Sequence, residues 1–201
     1  IPSGLPDVAG LLSRTELKQE PLLRRAISAA QRSGTARELE LLVTFADRKE
    51  VASAIRAEAI AALGTWAEPS LVDRVDGVYR GPVKRDPAQV KAKVTGPAGN
   101  WLRENDPAVV LATGALLREL SVTNYQQQMG ELVRSAASAD VRSGMLTELS
   151  RMNYAGLDEL VEAAMKDTNE NVRTTGIGLL SVVKPDNERM MTIARPILRK
   201  G

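Results

Sequence analysis

The sequence predicts an all-α fold, a right-handed α-α superhelix of about five helix pairs with one irregular insertion. Three observations carry that expectation. Apolar residues make up 43% of the 201 residues but aromatics only 3%, so Ala, Leu and Val must build the core. That suits helices packed closely on small side chains, whereas sandwiches and barrels carry more aromatic residues and Thr. Apolar residues then recur at helical spacing along most of the chain. Finally, the chain resembles itself: Val141-Arg142-Ser143-Gly144-Met145-Leu146 matches Val172-Arg173-Thr174-Thr175-Gly176-Ile177 at an offset of 31 residues. The same step back reaches Val110. An earlier copy, Ile55-Arg56-Ala57-Glu58-Ala59-Ile60, lies 55 residues before Val110, one period plus 24. Those 24 residues mark an insertion between repeats two and three, over 66–89. Repeats of this length expose an apolar face that only stacking on neighbours buries.

In order, the chain opens irregularly on IPSGLP, and Ser13-Arg14-Thr15-Glu16 fits a capping box. Pro21 suits the first turn of a helix that Gly34 closes, with Leu22, Ala26 and Ala30 inward. A second capping box, Thr35 to Glu38, opens a helix with Leu39, Leu42 and Phe45 on its apolar side. The next runs from Val51 to Gly64, with Ala52, Ile55, Ala59, Ile60 and Leu63 inward. Pro69, Gly77, Gly81 and Pro82 stop the pattern. Asp86-Pro87 restarts a helix that Gly96-Pro97 is expected to interrupt, leaving Trp101 and Leu102 in a short apolar patch. Asp106-Pro107 opens a helix through Leu120. Further helices are expected over 123–137, 140–152, 157–166, 171–183 and 187–199, the last disturbed by Pro196.

Composition excludes several chemistries. The chain has no Cys and no His. Disulfides, Cys/His zinc sites, covalent haem attachment and Ser-His or Cys-His nucleophile pairs therefore have no residues to form them. No catalytic residue, metal ligand or cofactor is assigned. A net charge of +2 argues only weakly for nucleic acid. No run is apolar and long enough to span a membrane. The chain begins on Ile1 rather than Met, so a fragment of a larger multidomain protein is expected.

The pattern Val/Ile-Arg-x-x-small-apolar-x-x-Leu resembles the HEAT repeat, and one HEAT-like domain over 1–201 is expected. The resemblance covers nearly all of the chain outside the insertion. Leu111 stands in place of the Arg and Met145 in place of the small residue, which loosens the register more than the fold. Arg56, Arg142 and Arg173 share one repeat position. They form either a basic ladder toward an anionic partner or, the favoured reading, packing bonds to the neighbouring repeat. Gly114, Gly144, Gly176 and Gly178 fall inside helices, where each costs about 1 kcal/mol against Ala; close helix approach is the expected return.

In the insertion, Asp73, Asp76 and Gly77 suggest part of a calcium loop. The EF-hand spacing and its distal Glu are missing, so an ion-pair network with Arg74 and Arg80 is favoured. Trp66, Trp101, Tyr125 and Tyr154 could stack on a ligand, but packing is favoured for residues this scarce.

The stretch RAEAIAALGTWAEPSLVDRVDGVYRG resembles the helical-repeat segment of large secreted or periplasmic bacterial dehydrogenase-like proteins. In these a propeller similar to PQQ-dependent glucose/sorbosone dehydrogenases precedes the repeat, and a c-type cytochrome module often follows. The matching residues are Arg56, Glu58, Ala59, Leu63, Trp66, Pro69, Ser70, Asp73, Arg74, Val75, Gly77, Tyr79 and Arg80. The resemblance implies a non-catalytic scaffold that docks other domains of its own polypeptide, with Trp66, Pro69, Asp73, Arg74, Asp76, Tyr79 and Arg80 as contact residues. It also implies a periplasmic or secreted location. Two alternatives are a nucleic-acid-binding protein resembling the HEAT-like alkylpurine DNA glycosylases and a free-standing adaptor for a protein or peptide. The first alternative needs Arg and Lys gathered on one face, whereas Asp and Glu are mixed throughout. The insertion is expected to be ordered and packed on repeats two and three.

Overall fold

The computed structural model describes residues 4–183 and, beyond them, Glu188, Met191, Thr192 and Arg195. Among the described residues there are ten α-helices and no strand beyond one isolated bridge. They are α1 (Leu5–Ala9), α2 (Glu20–Ser33), α3 (Ala36–Ala46), α4 (Ser53–Gly64), α5 (Pro87–Trp101), α6 (Pro107–Glu119), α7 (Gln126–Ser135), α8 (Ala139–Arg151), α9 (Leu157–Met165) and α10 (Glu170–Gly178), with a 3-10 turn at Gly10–Ser13. The fold is all-α. None of the helices is long and apolar enough to cross a membrane. The helices form two compact units, Ile1–Val122 and Thr123–Gly201.

In the first unit α2 packs on α4 and α4 on α6, while α3 packs on α5. In the second, α7 packs on α9 and α8 on α10. Within each unit, then, alternate helices stack on one another. The core is aliphatic: Ile55, Ala59, Ile60 and Leu63 of α4 are fully buried, as are Met145, Leu146 and Leu149 of α8. Phe45, Trp66 and Trp101 are the large aromatic exceptions. Trp101 donates its indole N–H to Asp47 at 2.6 Å.

Local chemistry sets the helix ends. Asp86 and Asp106 accept the amides of Ala88 and Ala108 at 2.8 and 2.9 Å, and Asn169 accepts those of Asn171 and Val172. Each cap satisfies donors that the first helical turn leaves free. α6 and α8 end alike: Ser121 and Asn153 adopt φ of 51° and 52°. The next amides, Val122 and Tyr154, reach back to Leu117 and Leu149 at 2.8 and 3.1 Å, closing the last turn in the Schellman manner.

Several expectations fail in instructive ways. Ser13 starts no helix; its hydroxyl donates backwards to the Gly10 carbonyl at 2.8 Å. Leu22 is exposed and Leu23 takes the inner position. Ala52 lies outside α4 and is exposed. Gly96-Pro97 does not interrupt α5, which runs through to Trp101. The bond Pro97 cannot make is to the carbonyl of Lys93, an exposed residue, where water serves as well. α10 stops at Gly178 instead of Val183. Of the helix expected over 187–199 only Glu188, Met191, Thr192 and Arg195 are described, and these four are helical.

Candidate docking surface

Of the arginines that share a repeat position, Arg56 is buried and Arg142 and Arg173 are half-buried. Arg56 is 3% exposed. Its Nε donates to the Ala46 carbonyl at 2.7 Å, and its two terminal nitrogens grip Glu104 at 2.8 and 2.6 Å. Burial pushes the Glu104 carboxyl up, but Arg56 and Lys49 together outweigh it and hold the group below the usual glutamate value. Arg142 donates to the carbonyls of Ala136 and Ala137 at 2.7 and 3.2 Å and pairs bidentately with Asp167 at 2.7 and 2.8 Å. Arg173 donates to the carbonyls of Asp167 and Thr168, both at 2.9 Å. Arg142 and Arg173 therefore close the turn before their own helices in the same way. Asp167 joins them, accepting Arg142 on its side chain and Arg173 on its carbonyl. The Arg142 pairing holds Asp167 below the usual aspartate value despite burial. The guanidinium nitrogens of this set point at backbone and carboxylate partners within their own unit.

The segment between α4 and α5 is ordered, and its anchor is α2. Val72 faces Tyr79 in an antiparallel bridge, flanked by Asp73 N–H to Val78 at 2.9 Å and Arg80 N–H to Leu71 at 2.8 Å. Gly77, at φ 71°, lets the chain reverse. Asp73 accepts Val75 N–H on one oxygen and Ser28 Oγ on the other, both at 2.8 Å. Asp76 accepts Val78 N–H at 3.0 Å on one oxygen; the other takes Arg25 and Arg80 at 2.7 and 2.6 Å. Each aspartate thus shapes the turn with one oxygen and reaches outside it with the other. The Val78 amide, then Arg25, hold Asp76 below the usual carboxylate range. Arg74 takes no part in the network among the described residues.

Arg25, Ser28 and Arg32 lie at i, i+3 and i+7 on one stripe of α2. Arg32 donates to the Ser70 carbonyl and, at 3.5 Å, to that of Gly81. Arg85 fixes the far end. Its guanidinium lies 4.9 Å from the Trp66 ring centroid and donates to the carbonyls of Trp66 and Arg32 at 2.7 and 3.1 Å. It occupies the space that a side chain at Gly34 would need. Burial, then the charge of Arg32, lowers the Arg85 pKa from its ordinary value. The Trp66 indole N–H has no partner among the described residues.

The expected contact residues therefore divide. Trp66, Pro69 and Asp73 are buried, where they hold the segment within its own unit. Tyr79 is 67% exposed, and Arg74, Asp76 and Arg80 also reach the surface. Of eight exposed large apolar side chains in the described residues, five are Leu71, Val72, Val75, Val78 and Tyr79. Such clustering on an ordered loop marks a surface suited to contact. The expected seat on repeats two and three moves to α2, because α2 supplies Arg25, Ser28 and Arg32. Sequence reasoning did not find those three, nor Arg85 and Glu104. A polar stripe beside the apolar face of α2 was the available signal.

Comparison with family models, with curated proteins and with solved structures gives no match.

Proposed function

We propose that this chain is a non-catalytic docking module whose contact surface is the 71–79 hairpin. The observation that supports this is an apolar hairpin fastened to α2 by charged and backbone bonds while its aliphatic side chains and Tyr79 stay uncovered. A contact surface held rigid before binding loses less entropy on association. In this reading the helix pairs are HEAT-like repeats of a right-handed α-α superhelix. Stacking of alternate helices within each unit and the shared bonding of Arg142 and Arg173 support it. The partner is another domain of the same polypeptide, and the parent is a secreted or periplasmic redox protein with a sugar-dehydrogenase-like propeller and a c-type cytochrome. That last step rests on the resemblance of residues 56–81 alone.

The test has two arms. The reading frame around the segment should encode propeller-like strand repeats upstream and a CxxCH downstream; their absence removes the redox parent. The neighbouring domains, produced separately, should bind this chain in trans. The pair Val72→Asp and Tyr79→Asp should weaken that binding at least about tenfold with the unfolding curve unchanged. Equal binding by the double variant would sink the hairpin as the docking surface.

A further inference from the structure

The second candidate site lies in the first unit, on the outward stripe of α3. Arg37, Leu41, Thr44 and Arg48 follow one another at i, i+4, i+7 and i+11, one face of a helix and its C-terminal extension. The Leu12–Thr15 stretch stands opposite. Arg48 holds the two walls together, donating to the carbonyls of Leu12, Arg14 and Thr15 at 2.9, 3.4 and 3.5 Å. Between them is an open cavity of about 500 Å³ whose accessible lining is mostly apolar. That volume is in the range of small-molecule sites, which combine an apolar body with a few placed polar groups.

The charges around the cavity are unequal in availability. Arg48 pairs with Glu50 at 2.7 Å, and Glu40 pairs with Lys93 at 2.6 Å. Arg37 lines the cavity and has no ion pair among the described residues. The site thus offers an apolar trough and, in Arg37, a cation without an ion pair among the described residues, while both carboxylates of the lining, Glu40 and Glu50, are paired. A guanidinium matches a carboxylate in shape and charge, two parallel N–H donors meeting two oxygens. We propose that this cavity binds a small monocarboxylate with an extended apolar body, its carboxylate on Arg37 and its hydrocarbon along Leu41 and Leu12. This site is independent of the hairpin and of the docking function.

The probe is octanoate, titrated into the whole 201-residue chain and followed by backbone amide shifts. Octylammonium, with the same tail and opposite charge, runs in parallel. Octanoate should shift the Leu41 and Thr44 amides saturably, and octylammonium should not. Arg37→Gln should weaken octanoate by roughly tenfold or more, as the loss of a charge-assisted pair requires. Thr44→Trp, at an exposed position, should fill the trough and abolish binding with the far-UV spectrum unchanged. Absence of saturable shifts, equal binding of octylammonium, or indifference to Arg37→Gln would each overturn the proposal.

Discussion

The α7–α10 pairs and the segment between α4 and α5 both rely on arginine bonded to backbone carbonyls, yet only the first repeats. Arg142 and Arg173 sit 31 residues apart and close equivalent turns. Around the inserted segment, Arg32 of α2 and Arg85 donate to the carbonyls of Ser70 and Arg32, while Arg25 of α2 pairs with the Asp76 carboxylate. A periodic bond shows itself by recurrence. An aperiodic clamp is visible only once the chain has brought distant residues together.

Arg56 belongs to the repeat pattern but carries the most buried pair, so its loss separates the two kinds of region most sharply. Arg56→Ala leaves the half-buried Glu104 with Lys49 alone and takes the side-chain donor from the Ala46 carbonyl. It should destabilise the first unit by about 3 kcal/mol, read as a lower urea midpoint at unchanged m-value. A loss near zero would mean that water replaces the guanidinium.

Gly34→Ala tests the clamp of the inserted segment. The residue has φ 70°, and its new methyl group would meet the Arg85 guanidinium. The left-handed strain alone costs roughly 1–2 kcal/mol, so about 2 kcal/mol is expected once Arg85 is displaced. Arg85→Ala alone removes the clamp without the strain; a cost near zero for Gly34→Ala would make Gly34 a spectator.

Asp167 gives the repeat region a pH signature. Its folded pKa lies below the ordinary aspartate value of 3.8 because Arg142 bonds it. The pairing therefore stabilises the fold fully above that value and is lost as pH falls through the depressed one. The second unit should weaken as pH drops below about 3.8. Asp167→Asn should be less stable at neutral pH and lose that part of the acid dependence.

The smallest effect is expected at the hairpin. Asp76→Asn removes an exposed ionic contact to Arg25 and Arg80. The global unfolding midpoint should hold while the Val78 amide exchanges faster. Unchanged exchange would show that Gly77 and the backbone bridge suffice to shape the turn.

Legibility follows the same division. The helix starts at Asp86 and Asp106, the stop at Gly34 and the packing role of the repeat arginines could be read from neighbouring residues or from recurrence. The course of α5 through Pro97 could not, because local propensity yields to the burial of Val94, Ala98 and Trp101 on the same helix. Gly176 shows both sides. Its place inside a helix suggests close approach, and a methyl group there would meet the Met165 amide and Ala164 at 3.1 Å. Gly178, two residues on, has open space around it, so the same residue type carried no such meaning.

The amino-acid order by itself determined the helical class, most helix boundaries and the position of the irregular segment. These depend on short-range spacing, caps and glycine or proline, all of which act within a few residues. Tertiary structure decided that Arg56 would meet Glu104, that the segment would fasten to α2 through Arg25, Ser28 and Arg32, and that its apolar side chains would remain uncovered. Those outcomes join residues that lie tens of positions apart in the sequence. Their energies come from burial and ion pairing that exist only after the helices have packed.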